Sequence, residues 1–222
     1  MERHFDEELR ELKEQLLRMG ALAEEAVYRS VEALKNRDKD AAAGIIERDA
    51  EMDRLELVID EKCIDLIARH QPMAGDLRFI TTGMKLNVEL ERIADLSVDI
   101  AQRTLDIADK PLLKPLIDIP RMGEIAKGMI HDAIGSFIEK DAELAKRVVL
   151  SDNEADNLKR KVEKELICDY MMRDGSTADR AVPLLLAARH LERVCDHAAS
   201  MAEDIIYMID AKVVRHHPEE LK

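Results

Sequence analysis

Apolar residues recur along this chain at intervals of three and four. In the first segment Leu9, Leu12, Leu16, Met19, Ala23, Ala26, Ser30 and Leu34 fall on one stripe, the spacing of an amphipathic helix. Apolar and polar residues nowhere alternate for long with period two, so no strand is expected. The pattern breaks near Asn36–Asp38, at Gln71–Asp76, from Pro111 to Pro120, near Lys140–Asp141 and at Arg173–Thr177. Asp38, Asp76 and Asp141 are candidate N-caps. Pro183 interrupts the last segment, but a helix starting near Asp179 puts it in the first turn, where its missing N–H costs little. The reading is an all-α chain of six long antiparallel helices in two sets of three, several of about 30 residues, a length normal in bundles.

The two sets match each other. Shifted by 103, Met19-Gly20 meets Met122-Gly123, Asp38 meets Asp141, and Asp49, Glu51, Asp53 and Leu55 meet Asp152, Glu154, Asp156 and Leu158. Shifted by 101, Leu90-Glu91-Arg92 meets Leu191-Glu192-Arg193 and Asp95 meets Asp196. A tandem repeat of two three-helix bundles explains this most simply. Residues 1–110 form the first bundle and 121–222 the second. The segment 111–120, with three prolines, is a linker that no helix crosses.

Composition narrows the chemistry. Aromatic residues are 3% of the chain, with no Trp, so the core is expected to be Leu, Ile, Val, Met and Ala. Asp and Glu outnumber Lys and Arg by 47 to 34, a net charge of −13 that disfavours broad nucleic-acid binding. The charged start, Met1 to Glu8, reads against a secretory signal. The longest apolar run, Ala181–Ala188, is eight residues and contains Pro183, where a membrane span needs roughly 20. Cys63, Cys168 and Cys195 form no C-x-x-C; they are expected to be small buried hydrophobes in a reduced, intracellular protein.

The acidic excess has a pattern. Asp49 and Asp53 are four apart, as are Glu91 and Asp95, with Asp99 four further on; the second half repeats this with Asp152 and Asp156, then Glu192 and Asp196. Four-residue spacing puts both carboxylates of a pair on one helix face. Neighbouring helices can bring two such pairs together, where a cation or protons must relieve their repulsion. Two readings stay open: a solvated acidic face, with Arg54 and Arg92 supplying salt bridges, or a shared site. All-oxygen ligation would suit a hard ion such as Mg²⁺, Mn²⁺, Ca²⁺ or iron. His197 follows Asp196 directly and so points about 100° away on a helix; it reads as a core or surface residue rather than a ligand. His216-His217 looks like a metal pair but reads better as part of a frayed end.

Several chemistries lack their signatures. There is no G-x-x-x-x-G-K-[ST], G-x-G-x-x-G, G-x-S-x-G or H-E-x-x-H. None of the seven histidines follows a Glu by three residues, as the ferritin-like di-iron enzymes require. No catalytic residues are assigned, and a binding or regulatory protein is favoured. The rival reading is a carboxylate-ligated metal-binding protein or metal-dependent enzyme on a helical bundle.

Gln71-Pro-Met-Ala-Gly-Asp-Leu-Arg78, Leu90-Glu-Arg-Ile-Ala-Asp95 and His190-Leu-Glu-Arg-Val-Cys-Asp-His197 resemble the PhoU family of phosphate-signalling regulators over essentially the whole chain. The resemblance implies two three-helix bundles, often as a homodimer. It implies a cytoplasmic protein, attached peripherally to the inner membrane through its partners and not inserted in it. Those partners are the ATPase of the high-affinity phosphate ABC transporter and a sensor histidine kinase. Such a protein holds the phosphate-starvation response off when phosphate is plentiful and restrains uptake. The family carries metals, multinuclear iron clusters among them, on paired E(D)-x-x-x-D motifs. Carried over, the ligands are Asp49, Asp53, Glu91 and Asp95 with Asp99 as a third acidic position, then Asp152, Asp156, Glu192 and Asp196. The divalent or trivalent ion — iron, zinc, manganese, magnesium or nickel — is not distinguished. Ser200 stands where the second half would match Asp99, so the second site is expected to be weaker or to hold fewer ions.

Overall fold

The computed structural model describes residues 2–211. They form six α-helices: α1 Glu2–Asn36, α2 Lys39–His70, α3 Ala74–Ile107, α4 Asp118–Glu139, α5 Ala142–Glu165 and α6 Ala178–Asp210, with no strand among the described residues. His216 and His217 lie outside them.

Most boundaries follow from local chemistry. Asp38 and Asp141 cap α2 and α5, their carboxylates accepting at 2.9 Å from the amides of Ala41 and Leu144. Before each cap the chain turns through a left-handed residue, Arg37 (φ 58°) or Lys140 (φ 54°). Asp76 is not a cap. The α3 helix starts at Ala74, with extended Met73 before it making no side-chain cap. Asp76 therefore sits inside the first turn, where its charge faces the positive helix end. The α4 helix starts at Asp118, inside the proline-rich segment, because Pro120 falls in a first turn that has no use for its N–H.

Pro183 also departs from expectation. The α6 helix does start beside Asp179, but that leaves Pro183 in the second turn, where it removes a helical donor. The orphaned acceptor is the Asp179 carbonyl, and Lys110 Nζ donates to it at 3.0 Å. The end of α5 holds a feature that apolar spacing does not reveal. It passes into a π-helical turn, Leu166–Met171, and then a short 3₁₀ turn, Gly175–Thr177.

The helices form two layers. α2, α3, α6 and α5 stand side by side in that order, and α1 and α4 pack behind them and against each other. Along the central seam α3 and α6 run antiparallel: Arg78 donates to the Met208 carbonyl, Lys85 pairs with Asp204, Glu89 with His197, and Asp99 with His190. The repeat explains the α1–α4 contact. A Cβ on Gly20 would lie 2.8 Å from Ile134, and one on Gly123 would lie 2.8 Å from Val31. These are one contact seen twice, since Gly20 and Val31 shifted by 103 are Gly123 and Ile134.

One apolar core runs through both halves. Phe79 and Phe137 stack across it, with ring centroids 4.4 Å apart. Cys63 and Cys195 are buried in it as expected, but Cys168 is exposed because it lies on the outer side of the π-helical turn.

Candidate functional site

Because α2 lies against α3, the pair Asp49 and Asp53 meets the trio Glu91, Asp95 and Asp99. Their mutual fields show the proximity. Burial and then the charges of Asp53 and Asp95 push the Asp49 carboxyl up. Burial, Asp53 and Asp99 raise Asp95. Burial, Asp95 and Glu56 raise Glu91, with Arg92 acting the other way. A cavity of about 70 Å³ adjoins Asp49, walled by Leu22, Met52, Ala94 and Val98.

The second half repeats the arrangement between α5 and α6. Burial, followed by Asp196, Asp156, Glu192 and Glu203, pushes the Asp152 carboxyl up to about 6. Asp196 is raised by burial and Asp156. Glu192 is raised by burial and Asp196, with Lys159 opposing. The thiol of Cys195, buried beneath these carboxylates, is pushed far up.

The donor set is carboxylate oxygen throughout, which fits hard cations. Asp152 Oδ1 is buried and accepts no hydrogen bond, so an acceptor stands ready for a cation. Among the described residues no three Asp, Glu, His or Cys side chains converge in ligating geometry.

Arg54 and Arg92 form no ion pair among the described residues. Arg92 acts on Glu91 and Asp95 only as a neighbouring charge. His197 turns away from the acidic group and meets Glu89 Oε2 at 2.5 Å across the central seam. His190 stands 3.6 Å from Asp99, and burial lowers its pKa.

Three charged residues near the two groups escape a search by motif. Glu56 presses on Glu91, Glu203 presses on Asp152, and Lys159 Nζ stands 4.0 Å from Glu192. The repeat carried a signal for two of them, because Glu56 and Lys159 occupy the same position in the two halves with opposite charge.

The PhoU domain model matches the chain twice, over residues 16–104 and 119–205. The phosphate-specific transport system accessory protein PhoU homolog of Aquifex aeolicus is 40% identical over 209 residues, 94% of each chain. The crystal structure of PhoU from Pseudomonas aeruginosa superposes with a TM-score of 0.89 at 33% identity, covering 94% of this chain and 100% of that one. That of the phosphate transport system regulatory protein PhoU from Streptococcus pneumoniae gives 0.87 at 28% identity, covering 95% and 99%.

Proposed function

This chain belongs to the PhoU family, and from that premise we propose that it is a regulatory accessory of phosphate transport. In this reading it is a cytoplasmic adaptor between the ATPase of a phosphate ABC transporter and a sensor histidine kinase. It keeps the phosphate-starvation response off, and restrains uptake, while phosphate is plentiful. The observation that carries the reading is the doubled PhoU match on a fold whose two halves each hold a carboxylate group at the same helix pair.

Regulation of this kind asks for no bond to be made or broken. It asks for a surface whose affinity depends on the state of the partner. The α2–α3–α6–α5 layer offers two related faces on one rigid core, suited to two partners or to two copies of one, and a homodimer would double them. Asp49, Asp53, Glu91, Asp95 and Asp99 would hold hard cations in the first half; Asp152, Asp156, Glu192 and Asp196 would do so in the second. Bound there, such ions supply positive charge that neutralises the carboxylates and ties α2 to α3 and α5 to α6. The polypeptide itself fixes the angle between the faces through the Gly20–Ile134 and Val31–Gly123 contacts. No helix of the described residues is long and apolar enough to cross a membrane, and attachment to one would run through the partners.

Affinity capture of the tagged full chain from phosphate-replete cells tests the reading. Co-purification of the transporter ATPase or the kinase is expected. Capture of neither, after crosslinking, would contradict it.

A further inference from the structure

We propose that the open cleft where α3 begins and α6 ends is the docking site of the chain's own segment Lys212–Arg215. Val214 is its anchor, and the segment closes this cleft as the linker closes the equivalent one at the opposite end of the bundle.

The repeat gives the molecule two comparable ends. At one of them α1 and α3 finish beside the start of α6. Leu34, Arg37, Ile107, Arg180 and Leu184 form a cleft there, and linker residues from Pro111 to Leu116 lie over it, leaving a cavity of about 20 Å³. Leu113 and Leu116 pack on the core, whereas Leu112 stays 58% exposed. Lys114 pairs with Glu165, and Lys110 donates to the Asp179 carbonyl.

At the other end α4 and α6 finish beside the start of α3. Shifted by 103, Leu34 and Arg37 become Phe137 and Lys140; shifted by 101, Ile107 and Ala108 become Met208 and Ile209. Arg37 and Lys140 share the left-handed backbone. A cation serves the same helix end in both places. Arg37 donates to the Ile107 and Ala108 carbonyls at 2.8 and 2.7 Å, and Arg78 Nε donates to the Met208 carbonyl at 3.2 Å. Here, however, the cleft is open. Gly75, Arg78, Phe79, Lys140, Met208 and Ile209 line about 190 Å³, and a Cβ on Gly75 would meet nothing within 4 Å. A cavity of about 150 Å³ holds a benzene molecule, so this one has room for an apolar side chain.

The chain that leaves each end matches as well. By the shift of 101 Asp109 becomes Asp210, and Leu112-Leu113-Lys114 becomes Val213-Val214-Arg215. The description ends at Ala211, two residues past Ile209 in the cleft wall. Val214 is three residues further, about 10 Å of extended chain, and takes the place of core-packed Leu113. Removing its apolar surface from water drives the docking. One partner differs: Glu165, which holds Lys114, corresponds to Lys62, and Lys62 already pairs with Glu11. The segment is therefore held by its valine rather than by Arg215, a weaker closure than the linker's.

The test is trypsin cleavage after Lys212 and Arg215 in the full-length protein, followed by mass spectrometry. Cleavage of a docked segment tracks the fraction of molecules that have released it. Gly75→Leu fills the cleft and leaves the tail sequence intact; Val214→Ser removes the anchor and leaves the cleft. Each should speed both cleavages about tenfold or more over wild type, the equivalent of 1.4 kcal/mol of docking, while the far-ultraviolet helical signal shows that the variant folds. Val213→Ser, at the position of exposed Leu112, should speed them less. Wild-type protection should not depend on protein concentration. Equal rates in wild type, Gly75→Leu and Val214→Ser would overturn the proposal. So would protection that fades on dilution, which would put the segment in the cleft of a second copy.

Discussion

At the scale of single residues, two kinds of position carry the account. Gly20 and Gly123 are the first. Each lies in a helix interior, where Gly is unfavourable relative to Ala by roughly 1 kcal/mol, yet a methyl group at either would press to 2.8 Å on a β-branched neighbour. Overpacking of this kind costs about 1–3 kcal/mol, so Gly20→Ala and Gly123→Ala should each destabilise despite their better helix propensity. Melting temperatures should fall, by about 2–4 °C per kcal/mol for a chain of this size; an unchanged or raised value would remove the close crossing. The carboxylates are the second kind. Burial and the neighbouring carboxylates push the Asp152 carboxyl up to about 6 from its ordinary 3.8. Between those values the folded state binds more protons than the unfolded one, so stability falls as pH rises through that window. The metal-free protein should therefore melt higher at pH 5 than at pH 7.5, and Asp152→Asn should flatten the difference. A melt that is independent of pH in the absence of metal would contradict the crowding.

At the scale of elements, much was legible in the residues. Helical spacing and the Asp38 and Asp141 caps mark the segments, and the repeat pairs them. Other boundaries were hidden by effects that one side chain does not announce. Met73 supplies an N-terminus through its extended backbone alone, which moved Asp76 inward. Pro183 is tolerated in a second turn because Lys110, from a distant segment, serves the Asp179 carbonyl. The π-helical turn adds a residue to the hydrogen-bond ring without altering which residues are apolar. The site divides in the same way. Spacing fixes which carboxylates share a helix face, but not which charges a neighbouring helix adds, and so Glu56, Lys159 and Glu203 were missed. If hard cations tie α2 to α3, Glu91→Gln with Asp95→Asn should lower bound metal while the far-ultraviolet helical signal stays unchanged. Wild-type metal content in that variant would remove the first group from the account.

At the scale of the whole molecule, the −13 net charge changes meaning. Part of it is solvated surface, laced with pairs such as Arg18–Glu51 and Arg121–Glu154. Eight of the acidic groups instead fall into two matched sets in the seams of one helical layer. Ions bound there would lower the negative charge that the folded protein presents to a partner. The proposed role, restraint of the phosphate-starvation response, is tested most directly by a deletion strain grown in high phosphate. Alkaline phosphatase or phosphate-transporter expression should switch on in the deletion and return to the repressed level when the wild-type chain is restored. Normal repression in the deletion strain would contradict the assignment.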